Sequence, residues 1–210
     1  MTPKQPFFVT SSRSYEKLIL NRFGIVHFYH CFTGTEPRYA IPDGCVDMVF
    51  CCDPNHPYAE ICGTVLSPQV VLSECNTTYF GVRFLPGYNP VLGSADIMAH
   101  LVNHRIPLDD LIQDRRMLEG IWGASDFRQQ IRVFMRSYMN IYRRVCPQEH
   151  QNLLVLHSSN LMIRSGGGIS VEQLAEDTGY TPRYIDKCFR NETGLSPKPV
   201  SYTHLRAHET

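Results

Sequence analysis

Residues 168–194 read GISVEQLAEDTGYTPRYIDKCFRNETG, and two helices with the turn between them are spelled out in that stretch. Ser170 and Gln173 stand at the S-x-x-Q spacing of a capping box, in which each side chain satisfies an orphan backbone N–H at a helix start. Val171, Leu174 and Ala175 follow as the buried stripe of that helix. Gly179 comes four residues after Ala175. The small residue inside the helix and the glycine in the turn let two helices cross closely. Thr181 is a good N-cap, and the fixed φ of Pro182 suits the first helical position. Ile185, Cys188 and Phe189 then form a buried face and leave Arg183, Tyr184, Asp186, Lys187 and Arg190 outside it. The spacing predicts a helix-turn-helix.

Upstream, Leu154, Ser158, Leu161 and Met162 share one face of a further helix, which Ser165 to Gly168 ends because glycines leave the helical region at little cost. CPQEH, residues 146–150, marks a boundary, so an all-α domain is expected over 152–198. Before it, Phe127, Ile131, Phe134, Met135 and Tyr138 recur at spacings of three and four, the pattern of an amphipathic helix. Such a helix can cover the N-terminal part of its own chain or join a second copy in a homodimer. Pro107 to Ile112, PLDDLI, reads as a helix entry with acids near the positive end. Residues 91–146 are therefore expected to be a helical connector.

Residues 1–90 have a different texture. GIVHFYHCF, 24–32, is aromatic and β-branched with no helical period. Pro42-Asp43-Gly44 is a turn in which proline presets φ and glycine accepts a positive one. After it Val46, Met48, Phe50 and Cys52 alternate with Cys45, Asp47, Val49 and Cys51, a strand with one more apolar face. TYFGVRF, 78–84, repeats the design and closes at Pro86-Gly87. Short strands between Pro/Gly turns predict a β-rich barrel- or sandwich-like domain, so the fold class expected is α+β.

The bulk properties narrow the function. Of 210 residues, 43% are hydrophobic, enough for packed cores. Lys plus Arg equals Asp plus Glu at 20 each, so nucleic acid could be held only by a local basic face. No apolar run approaches the ~20 residues of a bilayer span, and the N-terminus lacks the apolar centre of a secretory signal. A cytoplasmic protein with no membrane partner is expected. Its 8 cysteines form no C-x-x-C pair and read as buried, reduced thiols.

The second helix of 168–194 suits the DNA major groove. Arg183 or Lys187 could donate to guanine O6 and N7, and Asp186 could accept from cytosine N4. Thr181, Tyr184 and Arg190 are placed for phosphates, which position without specifying.

The stretch also resembles the first helix-turn-helix of the AraC/XylS family of bacterial transcriptional regulators. The shared features are I-S-x-x-x-L-A at 169–175, G-Y-T-P-R-Y at 179–184 and F-x-x-E-T-G-L-S-P-K at 189–198. The N-terminal part is similar to a DUF6597-like domain found in a subset of that family, through I-P-D-G-C-V-D-M-V-F at 41–50, F-G-V-R-F-L-P-G at 80–87, L-G at 92–93 and I-P-L-D-D-L at 106–111. The resemblance implies an N-terminal sensing or dimerising domain and a transcription factor binding double-stranded promoter DNA, with no cofactor. It carries Thr181, Arg183, Tyr184, Asp186, Lys187 and Arg190 over as DNA-facing. It further implies a second helix-turn-helix after a long linking helix begun at Ser196 and Pro197, with RNA polymerase as a partner of the full-length parent. Here the pattern breaks at about Pro199, and the residues left would span only ~18 Å as helix. VSYTHLRAHET, 200–210, resembles the translated read-through of a sequencing adaptor. The natural chain is thus expected to be longer, with 199–210 a non-native tail and the DNA-binding domain incomplete.

Other constellations are weaker. Asp47 and Arg83 are candidate contacts for a small-molecule effector, and an effector pocket could use Asp43 and Asp47 as acceptors or counter-ions for a cation. Against this, Asp43 reads as a turn residue bonding its own backbone, Asp47 as a polar residue on a solvated strand face, and Arg83 as a surface or paired strand arginine. His27, His30, Cys31, Cys45, Cys51, Cys52, His56 and Cys62 match no zinc spacing, and no metal site is expected. His204 and His208, four apart, lack the glutamate and third ligand of a helical zinc pair. With no G-x-S-x-G, phosphate loop or H-E-x-x-H, an enzyme is not expected. The alternative function is a small-molecule- or metal-sensing β-domain whose helical tail serves only protein contacts.

Overall fold

The computed structural model describes residues 15–35, 38–71, 76–91, 97–112, 114–145 and 153–200. Strands β1 (Tyr15–Arg22) and β2 (Ile25–Thr33) form an antiparallel hairpin around Phe23-Gly24. Both turn residues have positive φ, 58° and 77°, the geometry that matches the twist of paired strands. β3 (Arg38–Ala40), β4 (Val46–Cys51), β5 (Tyr58–Cys62), β6 (Gln69–Val71), β7 (Thr77–Phe84) and β8 (Arg105–Pro107) complete the strands. Six of them form one sheet in the order β1-β2-β7-β4-β5-β8, antiparallel throughout; β3 and β6 pair as a separate ribbon.

The helices are α1 (Ile97–Leu101), α2 (Arg115–Trp122), α3 (Phe127–Val145), α4 (Leu153–Arg164), α5 (Val171–Thr178) and α6 (Pro182–Thr193). An antiparallel sheet domain followed by a helical region is the α+β class expected. One element departs from expectation. β8 falls inside the stretch read as helical and extends the sheet beside β5. Pro107 leads only into a 3-10 turn, Leu108–Asp110, and the next α-helix waits until Asp114 caps it through Met117 N–H. A three-residue strand is too short to show a period.

The sheet separates two cores. One face carries Phe28, Phe50, Phe80 and Phe84, all fully buried, and packs against α2 and α3. Phe134 of α3 meets Phe28, Phe50 and Phe80 edge-on, with centroids 5.9, 6.2 and 6.4 Å away. The Tyr138 hydroxyl lies 2.7 Å from the Phe23 carbonyl oxygen and 2.8 Å from the Tyr88 hydroxyl, tying α3 to the first hairpin. The apolar stripe of α3 thus covers the chain's own sheet. At roughly 1.5–3 kcal/mol per buried large side chain, this contact is a major part of the domain's stability.

The opposite face holds Tyr29, Cys31, Val49, Cys51 and Tyr79. β4 is consequently buried on both sides, and Asp47 is 3% exposed. The expectation that Asp47 sits on a solvated face is corrected, because the β3–β6 ribbon helps to close that side. Cys51 and Cys52 point to opposite faces, one toward each core.

The C-terminal helices pack around Val155, Met162, Leu174, Ile185 and Phe189. The capping box is present: Gln173 N–H donates to Ser170 Oγ (3.1 Å) and Ser170 N–H to Gln173 Oε1 (2.8 Å). Gly179 ends α5 with φ 72°, Thr181 Oγ1 accepts from Tyr184 N–H (3.3 Å), and Pro182 opens α6. α4 is rotated from the expected face. Val155, Ser158, Ser159 and Met162 are buried, while Leu154 and Leu161 are only partly so. Docking on the sheet domain accounts for the rotation. Ser159 Oγ donates to the Pro86 carbonyl (3.2 Å), and Gly87 leaves room for Val155, whose Cγ1 would lie 2.6 Å from any added Cβ. The expected boundary at 146–150, Cys75, Cys146, His204, His208 and residues 201–210 lie outside the described residues. Pro197 to Val200 are helical, and Val200 is buried in the C-terminal core.

Candidate functional site

Two places carry the residues singled out from sequence. The first is the outer face of α6. Its inner face, Ile185, Cys188 and Phe189, is buried, which fixes the roll of the helix. Thr181, Arg183, Tyr184, Lys187 and Arg190 are consequently exposed, and Asp186 is half-buried. Tyr184 stacks on Tyr180 with centroids 5.1 Å apart, extending this face across the turn. Asp186 Oδ2 accepts from Arg190 Nε at 2.8 Å, an i,i+4 pair on the surface. That bond holds Asp186 against Arg190 on the same face, a pairing that spacing alone does not reveal.

The second place lies inside the sheet domain. Register sets Arg83 of β7 opposite Asp47 of β4 and opposite His27 of β2. Arg83 donates to Asp47 through Nε (3.2 Å) and Nη2 (2.9 Å), a two-pronged carboxylate contact. Its Nη1 lies 2.9 Å from Asp43 Oδ2. Asp43 Oδ1 also accepts from Cys45 N–H at 2.9 Å, the turn bond expected of it. All three charged side chains are nearly inaccessible, at 5% exposure or less. Burial pushes the Asp47 carboxyl up, and the guanidinium draws it back. Arg83 is held charged, above its ordinary range, by the two carboxylates.

These groups line a cavity between the sheet and the β3–β6 ribbon, together with Tyr29, Tyr58, Tyr79, Glu60 and Arg105. Arg105 and Glu60 form a second ion pair at 2.9 Å. Sequence reasoning found Asp47 and Arg83 but missed the aromatic wall and this rim pair. Period-2 alternation puts Tyr79 on the Arg83 side of β7; no local signal tells which strands flank β7.

Two of the cysteines belong to this cavity. Cys45 and Cys62 line the cavity, and burial raises both thiols well above their ordinary value, with Asp43 and Glu60 adding to it. Among the described residues no three of His, Cys, Asp and Glu converge on a point where a metal ion could sit. A thiol with a raised pKa stays neutral at pH 8 and is a poor nucleophile. Iodoacetamide at that pH is expected to label Cys45 at least ~10-fold more slowly in the native chain than after unfolding, read by peptide mass spectrometry. Equal rates would mean that this thiol is neither buried nor protonated as described.

Residues 24–107 match the model of a domain of unknown function, DUF6597. That span runs from the first hairpin through β8 and contains Asp43, Asp47 and Arg83, but none of α2 to α6. No curated protein and no solved structure matches the chain. None of the helices among the described residues is long and apolar enough to cross a membrane.

Proposed function

We propose that this chain is a sequence-specific, DNA-binding transcriptional regulator of the AraC type, acting in the bacterial cytoplasm, with the N-terminal half of α6 as its reading element. The observation that carries the reading is the set of exposed donors on one side of a doubly capped helix. Arg183 and Lys187 stand four residues apart at its N-terminal end, with Thr181, Tyr184 and Arg190 around them. An N-terminus of this kind can approach base edges while its N–H groups and hydroxyls meet phosphates. In this reading the partner is double-stranded promoter DNA, the sheet domain senses a small molecule, and a homodimer would place two reading helices on two half-sites.

The test is filter binding or gel shift of the full chain with pooled promoter fragments. Affinity is expected to fall steeply with salt. Arg183→Ala and Lys187→Ala are each expected to lower it by about 1–3 kcal/mol, roughly 5- to 150-fold. Parent-like binding by both variants would falsify the assignment of α6.

A second reading has an observation of its own. Glu172, Glu176 and Asp177 are exposed on α5, so the helical region offers acids as well as bases. In that reading the sheet domain senses a small molecule and the helices only contact protein. It predicts no salt-sensitive DNA binding in the same experiment.

A further inference from the structure

The cavity between the sheet and the β3–β6 ribbon measures about 80 Å³. On the same measure one water needs roughly 10–15 Å³, so the space accepts on the order of six water-sized groups. That is more than solvent bridging a single polar atom requires.

Its charge is unbalanced. Three carboxylates, Asp43, Asp47 and Glu60, line it against two guanidinium groups, Arg83 and Arg105. Asp47 gives both oxygens to Arg83, and Glu60 pairs with Arg105. Asp43 shares the same guanidinium: its Oδ2 lies 2.9 Å from Arg83 Nη1, its Oδ1 accepts from Cys45 N–H, and its side chain is 3% exposed. One guanidinium thus serves two buried carboxylates, which leaves a negative charge in the cavity that a further cation would offset. His104 turns its Nδ1 to the Val102 carbonyl, 2.7 Å away. Tyr29, Tyr58 and Tyr79 supply aromatic surface to the same space, with the Tyr58 and Tyr79 hydroxyls 3.2 Å apart. Aromatic walls beside a surplus carboxylate are the surroundings an organic cation requires. An anion would meet three carboxylates and two guanidinium groups already engaged.

We propose that this cavity binds a small organic cation, a primary ammonium or guanidinium compound with on the order of six non-hydrogen atoms, with Asp43 as its main counter-charge. The site also adjoins the helical region. Gly44 N–H donates to Thr64 Oγ1 (3.1 Å), and a Cβ on Gly44 would come within 3.1 Å of Val200 Cγ2. Leu66 and Val102 stand equally close, 3.3 Å from a Cβ on Gly194, the residue that ends α6. The cavity wall and the loops against which α6 ends are thus adjacent. Any effect on DNA rests on the regulator reading above; binding of the cation does not.

The test is titration calorimetry of the full chain with n-butylammonium and methylguanidinium chloride, set against sodium butyrate and n-butanol. At least one cation is expected to bind saturably below about 10 mM, and butyrate and butanol at least ~10-fold more weakly. Asp43→Asn is expected to weaken cation binding at least ~10-fold and Glu60→Gln, at the partly exposed rim, about 3-fold. Should Asp43→Asn fail to fold, Glu60→Gln and Tyr58→Leu carry the test. The proposal is overturned by butyrate or butanol binding as well as the cations, by an absence of saturable cation binding, or by folded variants that bind like the parent. A gel shift with and without the cation separates the two readings. Cation binding without DNA binding removes only the regulator reading, and DNA binding without cation binding removes only the ligand site.

Discussion

Arg83→Leu is expected to cost about 3–5 kcal/mol, enough to unfold the chain or leave it marginal, because it strands two buried carboxylates at once. The size of the effect follows from the surroundings. Asp43 and Asp47 are both buried, and the Arg83 guanidinium pairs with each of them at 2.9 Å. Without it Asp47 can avoid a lone buried charge only by taking up a proton, and burial already pushes its carboxyl in that direction. The variant should therefore regain part of its stability as pH falls toward the range where Asp47 protonates. A carboxyl whose folded pKa is raised stabilises the fold at low pH and loses that contribution as pH rises through it. Urea midpoints at several pH values would show this, and a loss under 1 kcal/mol at neutral pH would mean that the three groups are better solvated than described. Replacing Asp47 and Arg83 together by leucine should recover only the part of the loss owed to Asp47, since Asp43 stays buried without its guanidinium.

Gly63→Ala is the second large effect, expected to cost about 3 kcal/mol or more. Gly63 continues β5 toward the turn that precedes β8, and its N–H donates to the His104 carbonyl at 3.1 Å. A Cβ at this position would sit 1.8 Å from the Leu101 carbonyl oxygen. The obstacle is backbone, so no rotamer change relieves it. The 101–104 turn would have to move, breaking the bonds from Gly63 N–H to His104 and from Asn103 N–H to Thr64. Gly34→Ala makes a suitable control, for nothing among the described residues lies within 4 Å of a Cβ there. Its urea midpoint should match the parent within about 0.5 kcal/mol. Equal midpoints for both variants would show that the turn yields.

These two positions mark where sequence reasoning stops. Local signals are strong where a residue is needed for its own backbone, so Ser170, Gly179, Thr181 and Pro182 could be placed before any coordinates. The amphipathic stripe of α3 was equally legible, since a 3.6 period needs only the helix itself. Asp47 and Arg83 could be suspected but not joined, because their pairing depends on strand order, and β7 lies 36 residues beyond β4 at that point. The buried character of both faces of β4 was hidden for the same reason. Its second face owes its burial to the β3–β6 ribbon, whose short strands leave no period. The rotation of α4 was out of reach too, as it is set by contacts with the Pro86-Gly87 turn, 73 residues before Ser159.

The place of β7 in the sheet has a consequence for how the chain is made. Two hairpins, β1–β2 and β4–β5, are complete by Cys62, yet no strand pairing joins them directly. β7 enters between them, bonded to β2 on one side and β4 on the other. Among the described strands, the first 62 residues hold two separate hairpins during synthesis, each marginal in water. The hairpins are joined once Phe84 has left the ribosome, before β8 is added beside β5, and with it arrives the guanidinium that Asp43 and Asp47 share. Contacts of such long sequence separation form slowly. The nascent domain must wait with its aromatic strands open, and that interval is where chaperone binding or aggregation has its opportunity.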